Sequence, residues 1–95
     1  QALIRIHIVH HASKNPVFGL WFIDELAHHG YKLSPGTLYP IFFHGMEENG
    51  YLRSSVQRAG RQSRRVYRAT AKAKKALAAA KEKVSELFGE LFEKE

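Results

Sequence analysis

The 95-residue chain contains no cysteine. Disulfides, thiolate nucleophiles and thiolate-bound zinc are therefore excluded, and the fold must hold by packing alone. Nowhere do about 18 apolar residues follow one another, so no segment reads as a membrane span. Acid is missing from one long stretch: between Arg53 and Lys75 lie nine Lys and Arg residues and no Asp or Glu. Beyond Lys81 the sign reverses, with Glu82, Glu86, Glu90, Glu93 and Glu95 outnumbering the lysines. The net charge of +6 is thus local rather than spread, as on a surface that meets a polyanion. The first residues show no basic n-region and no small-residue cleavage site, which predicts a cytoplasmic protein. Gln1 in place of an initiator Met predicts a few native residues ahead of it.

What is present is enough for a folded core. Hydrophobic residues make up 44% and aromatics 12% of the sequence, which excludes a disordered chain. At this length a single core is already marginal, so one structural unit is expected.

Lys32-Leu33-Ser34-Pro35-Gly36-Thr37-Leu38-Tyr39-Pro40 spells a helix start. Ser34 is a candidate N-cap, and Pro35 falls at the first helical position, where a missing N–H costs nothing. The helix should run to about Asn49 and close at Gly50, with an apolar stripe of Leu38, Ile41, Phe42 and Met46 and with Glu47 and Glu48 outside. Thr37 and Tyr39 then project from its opening turns, where a recognition helix presents side chains to bases. Lys32 and Ser34 precede it, within reach of phosphates.

Upstream, Ala2 to Ala12 is ambiguous. Ile4, Ile6 and Ile8 alternate as in a strand, whereas Ile4, Ile8 and Ala12 fit a helical stripe; local propensity favours the strand. Asn15-Pro16 is expected to cap a helix over Val17–His29, with Phe18, Phe22 and Leu26 on its apolar face and Gly30 closing it. Downstream, Tyr51–Arg58 and Arg64–Thr70 read as two strands joined by a turn over Ala59–Ser63. Arg61, Arg64 and Arg65 are the candidate phosphate contacts of this hairpin, setting affinity and register rather than sequence choice. From Ala71 to Phe92 the composition turns to Ala, Lys, Glu and Leu. Leu77, Val84 and Leu91 recur every seven residues with Ala73, Ala80 and Leu87 between them, an a/d seam on a long helix.

The predicted architecture is mostly α with a small β-hairpin: a winged helix-turn-helix over 1–70 and a C-terminal dimerisation helix over 71–95, forming one unit. Helix 34–49 would enter the major groove, and wing 58–65 would lie on the backbone. Leu77, Val84, Leu87, Phe88 and Leu91 are the predicted dimer interface, joined by Leu3, Ile4 and Ile8 of the first segment. Two other classes fit the same charge pattern: a sequence-tolerant architectural nucleic-acid binder, and a winged-helix module that meets an acidic protein.

Catalysis and cofactors find little support. The carboxylate pairs Asp24-Glu25 and Glu47-Glu48 are adjacent and diverge on a helix, so they form no acid/base dyad. His7 and His11 stand at i, i+4, but no neighbouring acid in the sequence completes a His-His-carboxylate set, and neither a metal site nor a cofactor is expected. Trp21 has two readings, core packing or the wall of an effector pocket at a dimer interface; the first is the simpler, and any small-molecule effector is unidentified.

The string Ser34-Pro35-Gly36-Thr37-Leu38-Tyr39-Pro40, with Glu47-Glu48-Asn49-Gly50-Tyr51-Leu52 and Val66-Tyr67-Arg68-Ala69-Thr70, resembles the PadR family of transcription regulators over nearly the whole chain. The single C-terminal helix is similar to the short subfamily. The resemblance implies a homodimer that binds double-stranded DNA at a two-fold symmetric operator and represses, and it tips the first segment towards helix. Against the family pattern, Ile41-Phe42-Phe43-His44-Gly45-Met46 is one residue too long. An extra residue rotates the rest of a helix by about 100° unless a π-bulge absorbs it. A local i→i+5 bond between about Tyr39 and Met46 is therefore expected.

Overall fold

A computed structural model describes residues 2–93. Ala2–Lys14 forms a helix, α1, with Ile4, Ile8, Val9 and Ala12 buried along one side. The strand preference of the three isoleucines is worth only tenths of a kcal/mol per residue, whereas sinking an i, i+4 stripe into a core is worth about 1.5–3 kcal/mol per side chain. Burial wins.

Asn15-Pro16 does not cap a helix. Val17–Phe18 instead forms a short strand, β1, and the following helix, α2, begins at Gly19 and ends at His28. Its N-cap is Phe18, in extended conformation and with no side-chain capping bond. Gly30 closes α2 as expected, at φ +86°, with the Tyr31 N–H donating to Leu26 O at 2.9 Å. That 6→1 bond satisfies a carbonyl the helix end would leave bare.

The third helix, α3, is continuous but has three parts: an α-turn at Pro35–Thr37, a π-helix over Leu38–Phe43 and an α-helical end at His44–Glu48. The His44 N–H donates to Tyr39 O, an i→i−5 bond. The expected extra residue is thus absorbed locally, and Pro40, which has no N–H to give, lies inside the widened turn. The wider turn alters the apolar stripe. Leu38, Phe42, Phe43 and Met46 are buried, whereas Ile41, expected inside, is 56% exposed. Gly50, at φ +80°, ends α3 with a Tyr51 N–H to Met46 O bond of 2.8 Å.

Strands β2 (Leu52–Ala59) and β3 (Gln62–Ala69) pair antiparallel from Leu52↔Ala69 to Ala59↔Gln62. The loop is shorter than the expected Ala59–Ser63 turn: only Gly60 and Arg61 remain outside the ladder. Gly60 has φ +65° and no non-glycine residue among the described residues is positive, which fits a hairpin turn with glycine at the first central position. β1 adds to the free edge of β3 through Val17↔Tyr67 and Phe18↔Val66, giving the order β1-β3-β2.

Ala71–Leu91 is the long helix α4. Thr70 caps it, its hydroxyl accepting from the Ala73 N–H at 3.2 Å and donating to Gly50 O at 2.5 Å. Residues 94 and 95 of the predicted dimerisation segment lie outside the described residues. Phe22, Phe43, Ile8, Leu26, Leu38 and Val66 are the largest fully enclosed side chains, and no polar or charged residue is buried among the described residues. From Lys81 onward every described residue of the chain is exposed, so α4 projects beyond the body. The described chain spans 60 × 28 × 21 Å in consequence.

Candidate nucleic-acid interface

The backbone of Ser34 takes the extended N-cap conformation, at φ −90° and ψ 161°, but its hydroxyl caps nothing. It lies 3.4 Å from the Thr37 hydroxyl instead. The opening of α3 is therefore set by Pro35 and by Ser34 O, which accepts from the Thr37 and Leu38 N–H groups at 3.0 and 2.9 Å. Lys32 and Ser34 are exposed at this entrance, and Thr37 is half-buried.

Tyr39 is turned inward. Its ring packs edge-on against Phe43 at 5.6 Å and lies 6.5 Å from Tyr67, and its hydroxyl end occupies the space that a side chain at position 19 would need. Gly19 is the only residue type that leaves that room. One edge of Tyr39 remains in an open groove between α3 and the wing, together with Pro40, His44, Glu47, Arg65 and Tyr67. The geometry makes Tyr39 a strut between helix and hairpin with one edge open to the groove. Burial raises the Tyr67 phenol above its ordinary range, with Glu47 and Tyr39 adding to the rise and Arg65 opposing it.

The wing arginines divide between the faces of the sheet. Arg65 faces the α3 groove and donates from a guanidinium nitrogen to Ser54 Oγ at 3.0 Å. The Ser54 hydroxyl in turn donates to Glu47 at 2.5 Å, and the same carboxylate accepts the Ser54 N–H at 3.2 Å. This relay was not legible in the sequence, where Glu47 reads as an outward charge. Only the hairpin register, which brings Ser54 opposite Tyr67, places the serine over the helix end. Arg64, one residue earlier, emerges on the other face and lies 5.2 Å from the centre of the Phe18 ring. Arg61 is exposed in the hairpin tip.

The predicted dimer contacts also divide. Ile4 and Ile8 are enclosed in the core of their own chain, so they are not free to meet another and leave the predicted interface. Their helical stripe is spent on the common core, which also holds Phe22, Leu26, Phe42, Phe43 and Ala73. Leu3 is 55% exposed, and Val84, Leu87, Phe88, Leu91 and Phe92 form an uncovered apolar stripe along α4. Leu77, nearer the body, is half-buried against the core.

Trp21 is not a core residue: it is 43% exposed, its ring edge-on to His11 at 5.1 Å in a cleft with Lys14, Asn15 and Pro16. An acid does meet the histidines, because α1 packs on α2. Glu25 lies 3.0 Å from His29 Nε2 and 3.6 Å from His11 Nε2, and the rings of His7 and His29 stack at 4.6 Å. No group of three or more His, Asp or Glu among the described residues is arranged to hold a metal ion. No helix among them is long and apolar enough to cross a membrane.

Three helices, a hairpin packed on the third and a cationic surface beside it define a winged helix-turn-helix. The model of the PadR-like family of transcriptional regulators matches residues 8–79, and the chain belongs to that family. It is a transcriptional regulator, not an enzyme. It is 44% identical over 91 residues, 96% of this chain and 84% of the other, to the transcriptional regulator Rv3488 of Mycobacterium tuberculosis. A putative transcriptional regulator of Thermoplasma acidophilum superposes with a TM-score of 0.73 at 26% identity, covering 95% of this chain and 89% of the other. A PadR-like regulator from Bacillus cereus gives 0.80 at 22% identity over 99% and 95%, which shows the shared fold.

Proposed function

We propose that the protein is a homodimeric repressor that binds a palindromic operator, with α3 in the major groove and the wing on the sugar–phosphate backbone. The observation that carries this reading is the shared groove: Arg65, fixed through Ser54 to the end of α3, stands beside the exposed residues of that helix. A charge anchored to the helix sets the depth at which the helix can sit. Lys32 at the helix entrance and Arg61 in the wing tip supply further exposed cations. The uncovered stripe of α4 supports a dimer, because an apolar strip of that length on a lone chain invites aggregation. A two-fold axis would space the two α3 helices about one DNA turn apart, roughly 34 Å, so protein and operator symmetry would correspond. Occupied promoter DNA excludes polymerase, hence repression in the cytoplasm, where the chromosome lies.

Salt tests the electrostatic part. A dimer that neutralises roughly 6–10 phosphates loses about 10³–10⁵-fold in affinity between 50 and 200 mM salt. Arg65→Ala is expected to weaken all duplexes alike and to shallow the slope. A flat response in a fluorescence-anisotropy titration overturns the reading.

A further inference from the structure

The residues of α3 from Pro35 to Glu48 include no Arg, Lys, Asn or Gln. These four are the side chains that make bidentate hydrogen bonds to guanine or adenine in the major groove. Asn49, just past the helix end, is already engaged, its amide donating to Gly45 O at 2.8 Å. His44 and Glu48, the exposed polar pair of the last turns, hold each other at 3.2 Å. Tyr39 is turned inward. What remains exposed is Pro35, Gly36, Pro40 and Ile41, while Thr37 is half-buried with its hydroxyl accepting from Ser34; of the exposed four only Ile41, at 56%, presents a long aliphatic side chain. Its exposure has a structural cause. The π-helical turn brings Phe43 into the core and leaves Ile41 on the outer face, between Thr37 and His44.

We propose that Ile41 is the specificity-determining residue of this helix and that it reads thymine through the C5 methyl group. The inference rests on the DNA-binding reading above and deepens it. An apolar side chain cannot tell bases by hydrogen bonding, but in the major groove only thymine offers a methyl group to bury. The same helix is flanked by cations: exposed Lys32 precedes its start, and Arg65 lines the groove that holds Pro40 and His44, one residue before and three after Ile41, so a polyanion is drawn to this helix. Operators should therefore carry thymine at a fixed position in each half-site, read by contact rather than by a hydrogen-bond code.

The test uses the full chain and a random 40-base-pair duplex pool. After selection with the wild-type protein, thymines of the enriched duplex are replaced one at a time by deoxyuridine, which pairs identically and lacks only the methyl. One methyl(ene) group withdrawn from water is worth about 0.8 kcal/mol, or about fourfold in affinity. At one symmetric pair of positions, deoxyuridine should cost the wild type about fourfold per half-site and cost Ile41→Ala less than half of that. Ile41 is exposed, so the variant should keep its fold, and circular dichroism checks this. Equal losses in wild type and variant at every position, or none anywhere, overturn the inference while leaving DNA binding intact. Failure to bind any duplex at 50 mM salt overturns the DNA-binding reading itself, and the inference with it.

Discussion

His10 and His11 occupy the seam where α1 meets α2 and the long helix, and both are held below the ordinary imidazole range. For each the largest cause is burial, which penalises the charged ring. At His10 the positive charges of Lys14 and Lys81, then His7, act in the same direction. At His11 the neighbours His10, His7 and His29 do so, and Glu25 opposes them. The unfolded chain therefore takes up protons before the folded one does. Their contribution to stability is complete above the unfolded value near 6.5 and is lost as the pH falls below it through the folded values. The melting temperature should accordingly drop between pH 7 and pH 5, and His10→Gln with His11→Gln should flatten the profile. Calorimetry across that range checks it; a profile that rises on acidification contradicts the account.

At the scale of elements, the π-helical turn of α3 decides which side chains are buried and which are exposed. It exists because Phe43 is wanted in the core: the ring is nearly fully buried, 4.2 Å from Tyr67 and 5.6 Å from Phe22. Deleting Phe43 would restore the family spacing but remove that ring and rotate Ile41 towards the interior. The deletion should lose about 3–5 kcal/mol, the usual cost of emptying a buried aromatic site, and urea denaturation reads it directly. Wild-type stability in the deletion variant would mean that the residue is dispensable. The irregularity was legible in the sequence, because a family string with one residue too many leaves few ways to fold. The side chain it expels was not. A regular period places Ile41 inside, and only the widened turn puts it out. For the same kind of reason β1 was missed: a two-residue strand has no period, and Val17 and Phe18 pair only because β3 offers an edge. Tyr39 and Arg65 were legible as candidates, but not their division of labour, which depends on Gly19 and Ser54 far away in sequence. α4 shows another conflict. Lys72, Lys74 and Lys75 crowd its positive end while its last turn carries no base, so its charges oppose its own dipole. Such a pattern costs stability, and it places the basic charge next to the wing in sequence.

For the whole molecule, the decisive quantity is the apolar surface that one chain leaves uncovered on α4. Leu87→Asp with Leu91→Asp places two charges in that stripe. Both positions are exposed in the single chain, so the fold should survive. Sedimentation should then show monomer, with operator affinity reduced by at least tenfold because a half-site holds far less DNA contact. A dimer of full affinity would move the interface elsewhere.

The foot of α4 is bolted to the end of α3. Thr70 Oγ1 holds Gly50 O, and Lys72 Nζ holds Asn49 O at 2.7 Å while lying 4.6 Å from the centre of the Tyr51 ring. Mechanically this is a cantilever with its clamp at the end of α3. Twenty-one residues at about 1.5 Å each make an arm of roughly 32 Å. A tilt of about 5° at the clamp then carries the free end through roughly 3 Å, nearly the width of a side chain. Run backwards, the same ratio is a vernier: coarse displacements at the tip become small, graded rotations of α3.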